Sequence, residues 1–241
     1  MAEQEYELFA IRYATREARR SDHFIGGDPH DGAMPMDYFM WVARGGGRTF
    51  VIDTGFNAEV SKKRKRTFLR CPVETLSAFG IDVNAVEDVI LTHLHYDHAG
   101  NFDRFPNARF HLQERELAYA TGRFMRYPRL SHSFEVEDVC GIVRLNYARR
   151  VLFYDGDAEL APGLTIHAAG GHSAGLQFVR SGPGAGSSCS PPTSAISTRT
   201  WQANARLRPR CISEKCWRVL TSCLRSRHTK AISFRGTIRS L

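Results

Sequence analysis

The chain has 241 residues, of which 42% are hydrophobic and 24% are charged, and its formal net charge is +8. This length suits one α/β domain with a substantial core. No apolar run approaches the length of a membrane-spanning helix, so the sequence predicts no membrane partner. Residues 1–5 lack the basic and apolar regions of a secretion signal, and we expect a cytoplasmic protein.

The excess of positive charge is confined to the last quarter of the chain. Residues 181–241 hold 11 Lys and Arg but one acidic residue, Glu214, which gives this part +10 and leaves −2 for residues 1–180. Residues 181–190 are mostly Gly, Ser and Pro without periodicity, and only two of the six cysteines, Cys71 and Cys140, precede them. We predict a domain over residues 1–180, without a disulfide framework, and a disordered or poorly folded tail over 181–241.

Short strands and helices alternate along residues 1–180. Apolar runs and alternating patterns predict strands at 6–13, 38–43, 49–53, 89–92, 108–112, 151–154 and 164–168. Glycines at 45–47 predict a hairpin turn between the second and third of these strands. Helices are predicted at 73–80 and at 114–121, the second of them ending at Gly122.

Three imidazoles and a carboxylate follow the strand predicted at 89–92. In an extended segment residues two apart point the same way, so His93 and His95 are placed to hold one metal ion from the same side. Asp97 and His98 lie beyond them and are better placed for a second ion. Imidazole and carboxylate ligands suit zinc, iron, manganese or cobalt, and the sequence does not choose among them.

The motif His-x-His-x-Asp-His after a buried strand resembles the signature of the metallo-β-lactamase superfamily, as do residues 50–55 and 169–175. More narrowly, residues 97–101, 110–116 and 171–175 are similar to the N-acyl-homoserine lactonases, quorum-quenching enzymes that open the lactone ring of bacterial signals. The resemblance covers residues 1 to about 180. It implies an αββα sandwich whose C-terminal half is incomplete here, and a small-molecule lactone substrate.

The resemblance also implies roles for individual residues. One zinc ion would be held by His93, His95 and His172, and a second by Asp97, His98 and a histidine near the C-terminus, with a bridging aspartate.

Three further roles follow from the same resemblance. Asp97 would pass a proton to the leaving alkoxide, and Tyr96 would flank the cavity that takes the acyl chain. Asp53 would support the metal loop from behind, although a simple turn former is the alternative.

The tail lacks the aspartate and the last histidine that the resemblance requires. Residues 181–241 contain no aspartate and one histidine, His228. Read from the third base of each codon, however, the tail can encode three segments that resemble the missing ones, in the family's order. We therefore predict a frameshift near residues 181–187, a single bound zinc ion and greatly reduced activity.

Two alternatives remain open. One is another hydrolase of the same fold, such as a glyoxalase II-like thioesterase. The other is an inactive metal-binding scaffold whose basic tail binds nucleic acid, which the scarcity of aromatic residues and the lack of a basic stripe in the tail disfavour. The basic run at residues 62–66 is interpreted as a solvated loop rather than an anion-binding surface. The sequence predicts no oligomeric state.

Overall fold

The structure is a computed structural model that describes residues 4–23 and 29–181. Its strands are β1 (Glu7–Arg16), β2 (Met36–Gly45), β3 (Arg48–Ile52), β4 (Thr67–Phe68), β5 (Asp88–Ile90), β6 (Arg109–Gln113), β7 (Val151–Tyr154), β8 (Ala158–Ala161), β9 (Leu164–Ala168) and β10 (Gln177–Ser181). Its α-helices are α1 (Ala58–Lys63), α2 (Pro72–Thr75), α3 (Tyr96–Ala99), α4 (Glu114–Ala120), α5 (Pro128–Ser131) and α6 (Val136–Tyr147). Short 3-10 turns occupy Arg20–Asp22, Leu76–Phe79, Val83–Ala85, Phe102–Arg104 and Arg123–Arg126.

The larger sheet has seven strands in the order β4-β1-β2-β3-β5-β6-β7. β2 and β3 form an antiparallel hairpin, as predicted, and its turn uses Gly46 and Gly47 with φ of 58° and 72°. Such positive φ values are readily available only to glycine. β3, β5, β6 and β7 run parallel, so the loops that follow them leave from the same edge of the sheet. That edge is the usual place for a ligand site in a parallel sheet.

The larger sheet is covered differently on its two faces. On one face, Val73, Leu76, Val139 and Ile142 bring α2, the turn after it and α6 into the main hydrophobic core. On the other face lies a three-stranded antiparallel sheet in the order β10-β9-β8. Leu164, Ile166 and Val179 of this smaller sheet pack against β2, β3 and β5. The described residues thus form a layer of helices, a large sheet and a small second sheet.

Most of the predicted strands and helices are present in the structure, and some further elements were not predicted. The predicted strands at 108–112, 151–154 and 164–168 correspond to β6, β7 and β9, and the helix at 114–121 corresponds to α4. The predicted helix at 73–80 is α2 followed by a 3-10 turn. The sequence did not predict α1, α3, α5, α6, β4, β8 or β10. Gly141 in the middle of α6 weakens the helix pattern, but it allows close packing, because a Cβ there would lie 1.9 Å from Cζ of Phe102.

The described residues also bear on the predictions about cysteines and membrane-spanning helices, but not on those about location and the tail. Among the described residues, Cys71 and Cys140 are free thiols. Within residues 4–23 and 29–181, no helix is both long and apolar enough to cross a membrane. The cytoplasmic location stays a prediction. The tail, with the frameshift predicted in it, lies outside the described residues except for Ser181.

Candidate metal centre

Three imidazoles meet at the carboxyl edge of the parallel strands. His93 and His95 follow β5, and His172 lies in the loop between β9 and β10. One ring nitrogen of each lies within 4.8 Å of those of the other two. His93 and His95 are buried, whereas His172 is exposed, so the cluster is reached from the side of His172. This is the ligand set predicted for the first zinc ion.

The chemical state of the cluster fits a metal ion. Nε2 of His93 is buried and has no hydrogen-bond partner among the described residues. An unpaired buried polar atom is costly, and a metal ion would use its lone pair. Burial, and then the neighbouring imidazoles, lower the pKa of His93, and burial lowers the pKa of His95 to about 3. Both rings are therefore neutral, the form that binds metal, and three histidines suit zinc.

Asp53 lies directly beneath the loop that carries these histidines. Its carboxylate accepts hydrogen bonds from the backbone N–H of Thr92 at 2.7 Å and from the Thr92 hydroxyl at 2.9 Å. The same carboxylate lies 2.7 Å from Nδ1 of His98. Asp53 has φ of 60°, a left-handed conformation that aspartate tolerates in turns. These contacts favour support of the metal loop over the alternative of a simple turn former.

His98 and Asp97 form a pair beside the cluster. Nε2 of His98 lies 3.3 Å from Oδ2 of Asp97, and its Nδ1 faces Asp53. Burial alone would lower the pKa of His98, but the carboxylates of Asp53 and Asp97 raise it to about 10. Among the described residues, the converging group of ligands includes neither His98 nor Asp97.

Tyr96 is packed into the core rather than standing free at the mouth of the cluster. Its ring stacks on Phe56, and Cζ of the Arg64 guanidinium lies 3.9 Å from the centroid of the Tyr96 ring. Its hydroxyl lies 3.1 Å from that of Tyr38 and accepts a hydrogen bond from Nε of Arg66, also at 3.1 Å. The structure thus gives Tyr96 a packing role, and its predicted role beside the acyl chain stays a prediction.

The sequence analysis did not single out Glu116, which joins the two loops that carry the three histidines. This buried carboxylate accepts hydrogen bonds from the backbone N–H of Leu94 at 3.0 Å and of Gly175 at 2.8 Å. Leu94 lies between His93 and His95, and Gly175 lies three positions after His172. A Cβ at Gly175 would lie 2.3 Å from the backbone nitrogen of Glu116, so glycine is required there. No spacing in the sequence links Glu116 to these loops.

A comparison with protein families agrees with this arrangement. The model of the metallo-beta-lactamase superfamily matches residues 35–184. The chain belongs to this superfamily. Its fold is accordingly the predicted αββα sandwich, of which the described residues hold one helical layer, the larger sheet and three strands of the second sheet.

Similar proteins carry lactonase names. An N-acyl homoserine lactonase of Bacillus sp. is 30% identical over 116 residues, which are 46% of this chain and 41% of that protein. The N-acyl homoserine lactonase AttM of Rhizobium radiobacter is 33% identical over 107 residues, 39% of this chain and 40% of that protein. The chain therefore matches less than half the length of these relatives.

Solved structures show the same fold. The crystal structure of a quorum-quenching N-acyl homoserine lactone lactonase superposes with a TM-score of 0.60 at 20% identity. The superposition covers 74% of this chain and 68% of that one. At this level of identity the likeness establishes the fold and leaves the reaction to be argued from the site.

Proposed function

We propose that the protein is a zinc-dependent hydrolase that opens the lactone ring of N-acyl homoserine lactones. The convergence of His93, His95 and His172 around a buried Nε2 that lacks a hydrogen-bond partner carries this proposal. Three histidines with one side open to solvent are typical of catalytic rather than structural zinc. The lactonase names of the similar proteins supply the substrate class.

The chain's own residues have defined tasks in this reaction. A zinc ion at the three histidines would polarise the lactone carbonyl and lower the pKa of water. Although burial raises the pKa of Asp97, His98 and His95 lower it below the usual range, so this side chain is an ionised carboxylate. Asp97 can therefore accept a proton from the attacking water and pass it to the alkoxide released when the ring C–O bond breaks. Asp53 and Glu116 keep the loops in place through the contacts described above.

We further propose that this chain holds one zinc ion and hydrolyses lactones slowly. Asp97 and His98 alone provide two ligands for a second ion, which is too few for tight binding. A single ion would supply less stabilisation of the developing charge than a two-metal site does.

The test compares the full chain with His93→Ala, and uses His23→Ala as a control, because His23 lies outside the cluster. Metal content is measured after loading with zinc, and hydrolysis is followed for a long-chain homoserine lactone, a simple lactone and a thioester. We expect one tightly bound zinc ion and slow lactone opening in the wild type and in His23→Ala, and the loss of both in His93→Ala. Faster cleavage of the thioester would favour the glyoxalase II-like alternative. Zinc binding without any hydrolysis would contradict the proposed activity.

A further inference from the structure

Two basic segments that are far apart in the sequence lie together beside the metal centre. The first is the basic run, residues 62–66, which is Lys-Lys-Arg-Lys-Arg. The second, called here the arginine–aromatic segment, is residues 123–130, Arg-Phe-Met-Arg-Tyr-Pro-Arg-Leu. Arg64 joins them, because its Nη2 donates to the backbone carbonyl oxygens of His132 at 2.9 Å and of Phe134 at 3.2 Å, just beyond this segment.

The arginine–aromatic segment presents both positive charge and apolar surface to solvent. Arg123, Arg126 and Arg129 are exposed, and none forms an ion pair with any residue that the structure describes. Residues 117–134 contain no acidic residue. The large apolar side chains of the segment, Phe124, Tyr127 and Leu130, are 42%, 52% and 42% exposed. Exposed apolar side chains clustered in this way usually mark a contact surface.

The basic run adds charge to the same surface. A cavity of about 670 Å³ lies beside the basic run and is lined by Lys63, Arg64 and Arg66, and by residues just beyond the arginine–aromatic segment, among them Ser131 and His132. Its acidic lining residues are Glu135 and Glu137. Glu135 is already paired with Lys63 at 2.6 Å and with Arg64 at 2.7 Å. Lys62 and Lys65 are exposed and extend the positive surface away from the cavity.

A line of aromatic rings connects this surface with the histidine cluster. The ring of Phe124 lies 6.0 Å from that of Tyr119, which lies 6.1 Å from that of Phe134. The ring of Phe134 lies 4.7 Å from that of His95. The surface therefore adjoins the metal centre rather than the opposite end of the sheet.

We propose that the arginine–aromatic segment and the basic run form a docking surface for a bilayer of anionic phospholipids. Arginine and lysine attract the negative headgroups, and Phe124, Tyr127 and Leu130 enter the boundary between headgroups and acyl chains. The exposed apolar side chains distinguish this partner from nucleic acid, which would use the charges but not the leucine. The contact is with the membrane surface, so it revises the prediction of no membrane partner without requiring a spanning segment.

The test measures lipid binding, which does not depend on the proposed lactonase activity. Full-length protein is sedimented with vesicles of phosphatidylcholine alone and with vesicles that contain about one third phosphatidylserine. Three triple variants are compared with the wild type. The charge variant is Arg123→Gln, Arg126→Gln and Arg129→Gln; the apolar variant is Phe124→Ser, Tyr127→Ser and Leu130→Ser; the control, which removes the same charge from the basic tail, is Arg206→Gln, Arg208→Gln and Arg210→Gln.

We expect the wild type to bind the anionic vesicles and not the neutral ones. The charge variant should bind roughly 100-fold more weakly, because each of its three basic residues contributes about fivefold near an anionic surface. The apolar variant should bind at least about tenfold more weakly, because it loses the side chains that insert. The control should bind nearly as the wild type does. Because the replaced side chains of the segment are exposed, we expect each variant to fold. Thermal unfolding of each variant checks this.

Three results would overturn the proposal. Vesicle binding at the wild-type level by the charge variant, or by both segment variants, would show that the segment does not contact lipid. An equal loss in the control would assign the binding to the charge of the tail. An apolar variant that keeps its vesicle binding, together with displacement of the wild type from vesicles by RNA, would identify a general polyanion surface instead.

Discussion

Asp138, on α6, is a buried carboxyl group whose Oδ2 has no hydrogen-bond partner among the described residues. Burial, and then the carboxylates of Glu135 and Asp103, raise its pKa to about 7. An aspartate in the unfolded chain has a pKa of about 4, so the folded protein binds the extra proton between about pH 4 and pH 7. Stability therefore falls as the pH rises through this window, and the loss is complete above the folded pKa.

Asp138→Asn removes this titration. We expect the variant and the wild type to have similar free energies of unfolding at pH 4, where this window begins, and the variant to be more stable at pH 8 by roughly 1–3 kcal/mol. Urea unfolding at the two pH values measures the difference. Glu137→Gln, which changes an exposed acid on the same helix, is the control and should show no such gain. Parallel pH profiles for Asp138→Asn and the wild type would mean that Asp138 ionises normally.

Glu116 fixes the two histidine loops through its two carboxylate oxygens. Replacement by glutamine leaves one carbonyl oxygen to face two backbone donors, the N–H groups of Leu94 and Gly175. We expect zinc affinity to fall by roughly 10–100-fold, the usual effect of removing a group that orients metal ligands. Competition with a chromophoric chelator measures this affinity. Glu114→Gln, at an exposed position of the same helix, should leave it unchanged, and an unchanged affinity in Glu116→Gln would show that the loops are fixed by other contacts.

The sequence reveals a residue's role only where the chemistry is local. His93 and His95 were found because they lie two positions apart after a buried strand, and the resemblance added His172. Glu116 acts through hydrogen bonds to residues 22 and 59 positions away, which no local pattern contains. The core contacts of Tyr96 were not predicted for a related reason, since its neighbours in the core come from distant segments.

At the scale of elements, the packing of α6 on the turn at Phe102–Arg104 depends on Gly141. A Cβ at this position would overlap the far end of the Phe102 ring. We expect Gly141→Ala to lower the free energy of unfolding by roughly 1–3 kcal/mol, as overpacking does. Adding Phe102→Leu should restore part of the loss, and unfolding of the two single variants and the double variant measures this coupling.

Gly32→Ala is the matched control, because its new Cβ would meet nothing closer than 4.0 Å among the described residues. Equal stability losses in Gly32→Ala and Gly141→Ala would mean that the loss is a general effect of replacing glycine, on the unfolded chain or on the backbone, and does not come from the contact with Phe102.

Strands and helices could be predicted from the sequence where burial produces a simple pattern of apolar residues. β6 and β7 lie in the parallel part of the larger sheet, where apolar runs are continuous, and their positions were predicted closely. β10 was missed, although it is tied to the larger sheet by Gln177, whose side chain donates to the backbone oxygens of Leu91 and His111. These bonds span 86 and 66 residues, so the strand is specified by tertiary contacts rather than by its own sequence.

At the scale of the whole molecule, the two sheets are unequal. Seven strands form the larger sheet and three form the smaller one, in which β10 is an edge strand among the described strands. The family model ends at residue 184, shortly after β10. An open strand edge is a site for pairing with another segment, so the sequence that follows β10 decides how the second half of the sandwich is completed.

The frameshift prediction makes this dependence testable at the level of the gene. We expect the coding DNA, read from the third base of each codon through residues 181–241, to contain an aspartate codon across Pro192 and Thr193 and a histidine codon across Gly236 and Thr237. A chain expressed from the restored frame should then bind two zinc ions instead of one and open lactones faster than the present chain, because Asp97 and His98 would gain their missing partners. Metal analysis and lactone hydrolysis of the two chains measure these changes. Other residues in that reading frame would contradict the frameshift, and the +10 charge of the tail would then need a function of its own.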